Sequence, residues 1–249
     1  MFNNAWRRMR TVEFVALFGI MLVALLVCVP LLTRAREAAH RASCQNNLKQ
    51  MGIVFKMYSS ENKDYFPPLS PIIDNWMFDT GAVIPEYLTD VHILICPDSP
   101  FSRPEVFDSS RNKSSADASC VSSLFYIYTG YLIYSDEQAQ GLFNAYMLDP
   151  MKVITGNSVE VHVPVWPDST RVTGLVGDGD IPLMWDRVPL GEDEFTHNPA
   201  GVNVLHFDGH VEFVKYSFYN SSNFFPATRV GAETFGSVLP ELPNYCVYQ

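Results

Sequence analysis

Residues 12–32 read VEFVALFGIMLVALLVCVPLL, and Glu13 is the one charged side chain among them. About 20 apolar residues in an α-helix cross the roughly 30 Å of hydrocarbon in a bilayer. Inside lipid every backbone amide needs an internal partner, so a spanning run of this kind is helical. A buried core helix seldom runs this long without a polar interruption. A cleaved signal peptide has a shorter apolar region and a small-x-small cleavage site, whereas this run ends in Pro30-Leu31-Leu32-Thr33-Arg34. The segment therefore reads as a basic leader, 1–8, followed by a retained single-pass transmembrane helix, 9–32. Arg7, Arg8 and Arg10 precede the run, and Arg34 and Arg36 follow it. With the N-terminal amine, that balance favours an N-terminus in the cytoplasm and the remaining chain beyond the cytoplasmic membrane, periplasmic or extracellular.

Two side chains inside the run need an account. Glu13 lies in the first turn, where an ionised carboxylate costs less than at the bilayer centre. One reading is a helix-start acid that complements the macrodipole and snorkels to the headgroups. The other is a charge awaiting a cation on a neighbouring subunit. Pro30 removes a backbone donor late in the run and is expected to kink or loosen the helix there.

The apolar helix is expected to continue past the membrane. Residues 33–60, TRAREAAHRASCQNNLKQMGIVFKMYSS, are dominated by good helix formers. Cys44, Leu48, Met51, Phe55 and Tyr58 follow one another at steps of 4, 3, 4 and 3, which lays one apolar stripe along a helix face. A helix from Val12 to Ser60 would be about 70 Å long. Pro67-Pro68 forbids its continuation.

From 61 to 249 the pattern is that of a β-rich domain. The chain carries 17 Phe, 12 Tyr and 4 Trp, enough for a sizeable core. Short runs bounded by turn residues read as strands: His92–Cys96, Leu124–Thr129, Tyr131–Tyr134 and Val159–Val163. Gln138–Leu148 suits a short helix. Asp208-Gly209 lies between two β-prone runs and predicts a two-residue hairpin turn. In that register Phe207 faces His210 and His206 faces Val211. The antiparallel sheet is expected to pack on the Cys44–Tyr58 stripe, giving an α+β fold. Residues 98–123, rich in Ser, Asp and Asn, suggest a long surface loop. The chain after Ser217 suggests an irregular tail.

These features together resemble a type IV pilin or type II secretion pseudopilin: a basic leader, an apolar helix with a glutamate near its start, a late proline and an amphipathic continuation. The stretch RAREAAHRASCQNNLKQMG, 34–52, and the segment NVLHFDGHVEFV, 203–214, resemble the pseudopilin-like proteins numerous in Planctomycetes and Lentisphaerae, as does Ile95-Cys96-Pro97-Asp98. The resemblance implies a pilin-like fold and membrane-embedded assembly with other pilin-like subunits, as a homo- or hetero-oligomer. It matches Glu13 to the family's assembly glutamate, Pro30 to its helix-kinking proline, and Met9 to its first processed, N-methylated residue. Arg8 stands where the family's peptidase expects glycine, and the first glycine is Gly19.

Chemistry beyond assembly has little support in the pattern. Net charge is −10, so no bulk positive field draws nucleic acid. Cys44, Cys96, Cys120 and Cys246 lie beyond the apolar run, and in an oxidising space they allow two disulfides in three connectivities. Cys96–Cys120 is favoured, closing the Ser-rich loop and contributing about 3 kcal/mol in the chain-entropy model. Cys44–Cys246 would then tie the tail to the helix. HFDGH, 206–210, invites a metal reading, but Asp208 at a turn tip serves the turn, and His206 and His210 are expected on opposite faces of the ribbon, so no metal is assigned there. Asp178-Gly179-Asp180 resembles a fragment of a calcium loop without the remaining ligands and otherwise reads as a solvated turn; the resemblance to pseudopilins, some of which bind calcium in the sheet domain, keeps calcium at Asp178 and Asp180 open. Asp186, Glu192, Asp193 and Glu194 beside Trp185 read as a charged surface loop rather than a glycosidase pair. No nucleophile, phosphate-loop or dinucleotide motif occurs, so no enzymatic activity is expected. Besides the assembly subunit, a membrane-tethered glycan- or protein-binding module remains open, as does a tethered hydrolase with only scattered His and Asp behind it.

Overall fold

The computed structural model describes residues 11–63, 65–110, 112–156, 181–191, 194–216 and 224–246. The leader residues Arg8 and Met9, the expected strand Val159–Val163, the calcium fragment with Asp178 and Asp180, and Glu192 and Asp193 lie outside them. The chain divides into two units, Met1–Ala39 and His40–Gln249.

One helix, α1, runs from Thr11 to Glu61, 51 residues, and includes Pro30. The helix is unbroken at the proline, and Thr33 Oγ1 donates to the Pro30 carbonyl at 3.0 Å. In the first unit, residues 13–36 are all exposed. In the second unit the predicted stripe turns inward. Cys44, Leu48 and Phe55 are 0% exposed, Met51 is 1%, and Tyr58 packs at the margin of the core. The helix ends where Asn62 Nδ2 donates to the Tyr58 carbonyl at 2.8 Å.

The second unit is α+β. After α1 come a short helix α2 (Thr80–Val83), a two-stranded ribbon β1 (Asp108–Ser109) and β2 (Asn112–Ala116), then β3 (Tyr126–Tyr128), α3 (Asp136–Leu148) and α4 (Pro150–Ile154). The strands β4 (Pro182–Asp186), β5 (Gly201–His206) and β6 (Val211–Lys215) follow, and a short turn α5 (Arg229–Gly231) comes last. The main sheet is antiparallel in the order β3-β4-β5-β6. Ser135 caps α3 by accepting from Gln138 N–H, and Asp136 and Glu137 favour the positive end of its dipole.

Strand alternation divides the sheet into two faces. Tyr128 meets Phe55 of α1 at 5.2 Å between ring centres. Leu205 faces Gly52, where an added Cβ would come within 3.0 Å of Leu205 Cδ1. The glycine thus sets how closely helix and strand approach. On the other face Trp185 packs on Phe225 at 5.4 Å and on Phe235 at 6.2 Å, and Phe235 meets Phe143 of α3. β3, β4 and β5 are therefore buried along their whole length, while β6, at the edge, is only half buried.

Several expectations are corrected. His92–Cys96 is not a strand: Asp90 accepts from His92 N–H and starts a 3₁₀ turn over Val91–Leu94. Tyr131–Tyr134 is not a regular strand either, although Tyr131, Leu132 and Ile133 are buried. The Ser-rich stretch is not a bare surface loop. Val106 and Phe107 are buried, the β1–β2 ribbon spans its middle, and Asp117 caps a 3₁₀ turn ending at Cys120. The described tail is bonded to this stretch. Ser110 N–H donates to Tyr245 O at 2.7 Å, and Ser109 pairs with Cys246.

The β5–β6 hairpin exists, but its register differs by one residue. Leu205 pairs with Val211, Val204 with Glu212 and Gly201 with Lys215. His206 N–H donates to His210 O and Gly209 N–H to His206 O, each at 2.9 Å. The loop is thus three residues, Phe207–Gly209, with Gly209 alone at positive φ, +94°. A two-residue type I′ turn needs two positive-φ residues, and here only glycine takes that role. The slip carries every side chain of one strand to the opposite partner.

Candidate functional site

Two places carry possible function: the exposed half of α1 and a buried polar cluster beside its second half. In the first unit, an 18-residue window has mean hydropathy 2.9 and none of it is buried. By length and composition it is able to cross a membrane. Val15 is 71% exposed, Ile20 68% and Leu26 68%. An exposed apolar surface of this size is what a membrane or another apolar partner would cover. Glu13 is exposed in the first turn of this surface and Pro30 lies near its end. Leu26, four residues before Pro30, loses its usual helical N–H partner.

All four cysteines of the second unit are bridged, but the pairing is Cys44–Cys96 and Cys120–Cys246, at sequence separations of 52 and 126. The favoured pairs, Cys96–Cys120 and Cys44–Cys246, do not form. The reason is tertiary. Asn47 of α1 donates to Ile95 O at 3.1 Å, which sets the chain before Cys96 against the helix beside Cys44. Cys28, within the apolar half, is a free thiol.

Beside Cys44–Cys96 lies a cluster that no spacing announced. His197, with no exposed side-chain surface, places Nδ1 3.1 Å from Asp98 Oδ2 and Nε2 3.1 Å from Asp186 Oδ2. Asn203 donates to Asp186 Oδ2 through both its backbone N–H and Nδ2, each at 2.7 Å. His40 of α1 holds the other Asp98 oxygen at 2.9 Å. Burial alone would depress His197, but hydrogen bonds and charge from Asp186, then Asp98, outweigh it and hold its pKa above the usual histidine range. The His197 ring, set between two carboxylates and 3.1 Å from Asn203 Nδ2, thus joins α1, the Cys96–Asp98 segment, β4 and β5. Cys96 Sγ is 3.8 Å from His197 Nε2. Asp186 is 2% exposed, so it belongs to this cluster rather than to an acidic surface patch, and Trp185 is equally buried. Glu194, the remaining described member of the expected patch, is exposed. The cluster's physical effect is to pin the helix to the sheet: removing His197 would leave the buried Asp186 carboxylate without one of its partners.

At the β5–β6 turn, the register slip places His206 and His210 directly opposite each other. Their rings stack at 4.3 Å with 5° between planes. The expectation of opposite faces is therefore wrong, because it rested on a two-residue turn.

Residues 33–71 match the model of a family described as a protein of unknown function (DUF1559). The match covers the second half of α1 and the segment just beyond it. No curated protein and no solved structure matches the chain. The family match and the apolar helix are compatible with a pilin-like membrane protein.

Proposed function

We propose that this chain is a pilin-like structural subunit of a type II secretion or type IV pilus-like apparatus, held in the cytoplasmic membrane and assembling through the first half of α1. The observation that supports this reading is one helix whose residues 13–36 are exposed while its continuation carries a folded α+β domain. In this reading apolar helices of neighbouring subunits pack side by side within lipid, in homo- or hetero-oligomers. The Glu13 carboxylate meets a basic or N-terminal amino group of a neighbour. A charge misplaced in the membrane costs a few kcal/mol, so pairing disfavours wrong stagger. Met9 would be the first residue after processing. The role is structural rather than catalytic, and the domain lies beyond the membrane without nucleic-acid partners.

Replacing Glu13 with Ala is expected to lower recovery of assembled complexes about tenfold or more, since each ~1.4 kcal/mol is a factor of ten. The second unit should melt unchanged. Cross-linking and sedimentation of membrane extracts measure the first, and near-UV circular dichroism the second. Unchanged assembly in Glu13→Ala would overturn the proposal.

A second reading has one observation behind it. Arg8 in place of glycine before Met9 suits an unprocessed anchor that tethers a binding module. A cleft of about 540 Å³, lined in part by Phe101, Leu124, Arg187 and Leu239, offers such a module a place for a ligand. Mass spectrometry of the mature N-terminus separates the readings: Met9 means processing, Met1 a tether.

A further inference from the structure

The geometry points to a divalent metal site of the zinc class at the β5–β6 hairpin, built from His206, His210 and Glu212. The argument begins with the register. Because the loop has three residues, His206 is opposite His210, and Glu212, two residues along β6, projects to the same face. One ring nitrogen from each histidine and a Glu212 carboxylate oxygen lie within 4.8 Å of one another. Ligands about 2.0–2.1 Å from a tetrahedral zinc stand roughly 3.3 Å apart. Closing the site therefore takes a movement on the order of 1 Å and a twist of the two stacked rings. His210 and Glu212 are exposed and free to make it.

Two further features fit a ligand set better than a plain turn. First, the His206 side chain is 6% exposed, and neither of its ring nitrogens makes a hydrogen bond. Its Nε2 stands 3.2 Å from Glu212 Oε1, at ion-pair distance without bond alignment. A buried imidazole with no hydrogen bond is costly, and a metal ion satisfies it. Second, His210 Nδ1 is 2.7 Å from Asp208 Oδ1, which also accepts from His210 N–H at 2.9 Å. An ionised Asp208 draws the Nδ1 proton and leaves Nε2 as a lone-pair donor, the arrangement by which outer carboxylates orient metal-binding histidines. Lys56 reaches the same turn from α1, but its ammonium is bonded to the Asp208 carbonyl oxygen at 2.5 Å. Two nitrogens and one carboxylate leave a coordination position open toward solvent, on the side of His210 and Glu212. That position suits water or a donor from another molecule.

The test uses the full chain in detergent micelles with its disulfides intact and zinc chloride as the probe. Equilibrium dialysis followed by elemental analysis should give one zinc per chain. His210→Ala should weaken binding by more than about tenfold, and Asp208→Asn by about 10–100-fold as an orienting partner. Glu212→Gln should weaken it in the same direction as His210→Ala. His210 and Glu212 are exposed, so near-UV circular dichroism should show these variants folded. Cobalt(II) in place of zinc adds a signature: d–d bands without thiolate charge transfer mean nitrogen and oxygen ligands. No zinc retained by the wild-type chain, or equal binding by His210→Ala, would overturn the site. A thiolate band that appears only after reduction would instead assign the metal to Cys44, Cys96 and His197.

Discussion

The two halves of α1 have the same backbone and opposite surroundings. Residues 14–32 show apolar side chains on every side, whereas from His40 onward one face is buried and bridged and the other is exposed and mostly polar, with Ile53 and Met57 as exceptions. A stripe at 3–4 residue spacing means a helix that meets its partner along one line. Apolar residues all round mean a helix whose whole circumference meets a nonpolar medium or other helices. Secondary structure alone does not separate the two cases, and the periodicity of the polar residues does.

The sharpest way to break this contrast is to shorten one large side chain in each half. Phe55 touches Phe66, Phe78 and Tyr128 and has no exposed surface. Phe55→Ala should cost the second unit about 3–5 kcal/mol, measured by urea melts in detergent. Leu22→Ala in the exposed half should change the same melt by less than about 0.5 kcal/mol. Equal effects would mean that the first half is packed into the domain after all.

A smaller effect should follow from the bridge. Cys44→Ser with Cys96→Ser frees the start of the buried stripe from the 91–96 segment and should cost about 2–4 kcal/mol, read from the same melts. Membrane retention of the variant should be unaltered, because the bridge lies wholly within the second unit. A matching loss of retention would join the two halves into one energetic unit.

The third effect is smaller and shows as a slope with pH. The His197 pKa is raised by Asp186 and Asp98 against the pull of burial. A raised group stabilises fully below its unfolded value, about 6.5 for histidine, and loses that contribution as pH rises through the folded pKa. The stability difference between the wild type and His197→Asn should therefore be greatest in mild acid and shrink toward alkaline pH. His206, depressed by burial and His210, acts with the opposite sign, adding stability above its unfolded value and losing it as pH falls. It is present in both proteins and cancels from the difference. A difference that grows with pH would mean that Asp186 and Asp98 do not favour the protonated ring.

What was legible in the residues follows physical range. The stripe Cys44–Phe55, the helix near 136–148 and the existence of the β5–β6 hairpin depend on neighbours a few positions apart, and they are present. The hairpin register turned on one backbone angle at Gly209, and a one-residue error there moved His206 to the wrong face. The cysteine partners lie 52 and 126 residues apart, and the His197 cluster draws Asp98 from 99 residues away. No local pattern records which of them the fold brings together. Asp186 read as surface because acids usually are; its burial needs the two hydrogen bonds from Asn203.

The two sulfur bridges close separate rings, 44–96 and 120–246, that follow one another along the chain without overlapping. A tug applied at both ends of the oxidised polypeptide would thus bypass nearly everything between Cys44 and Cys246. Only the connecting stretch, 97–119, could be drawn out, to about 80 Å when fully extended. In a chain wired this way the sheet and its aromatic layers sit in a mechanical shunt.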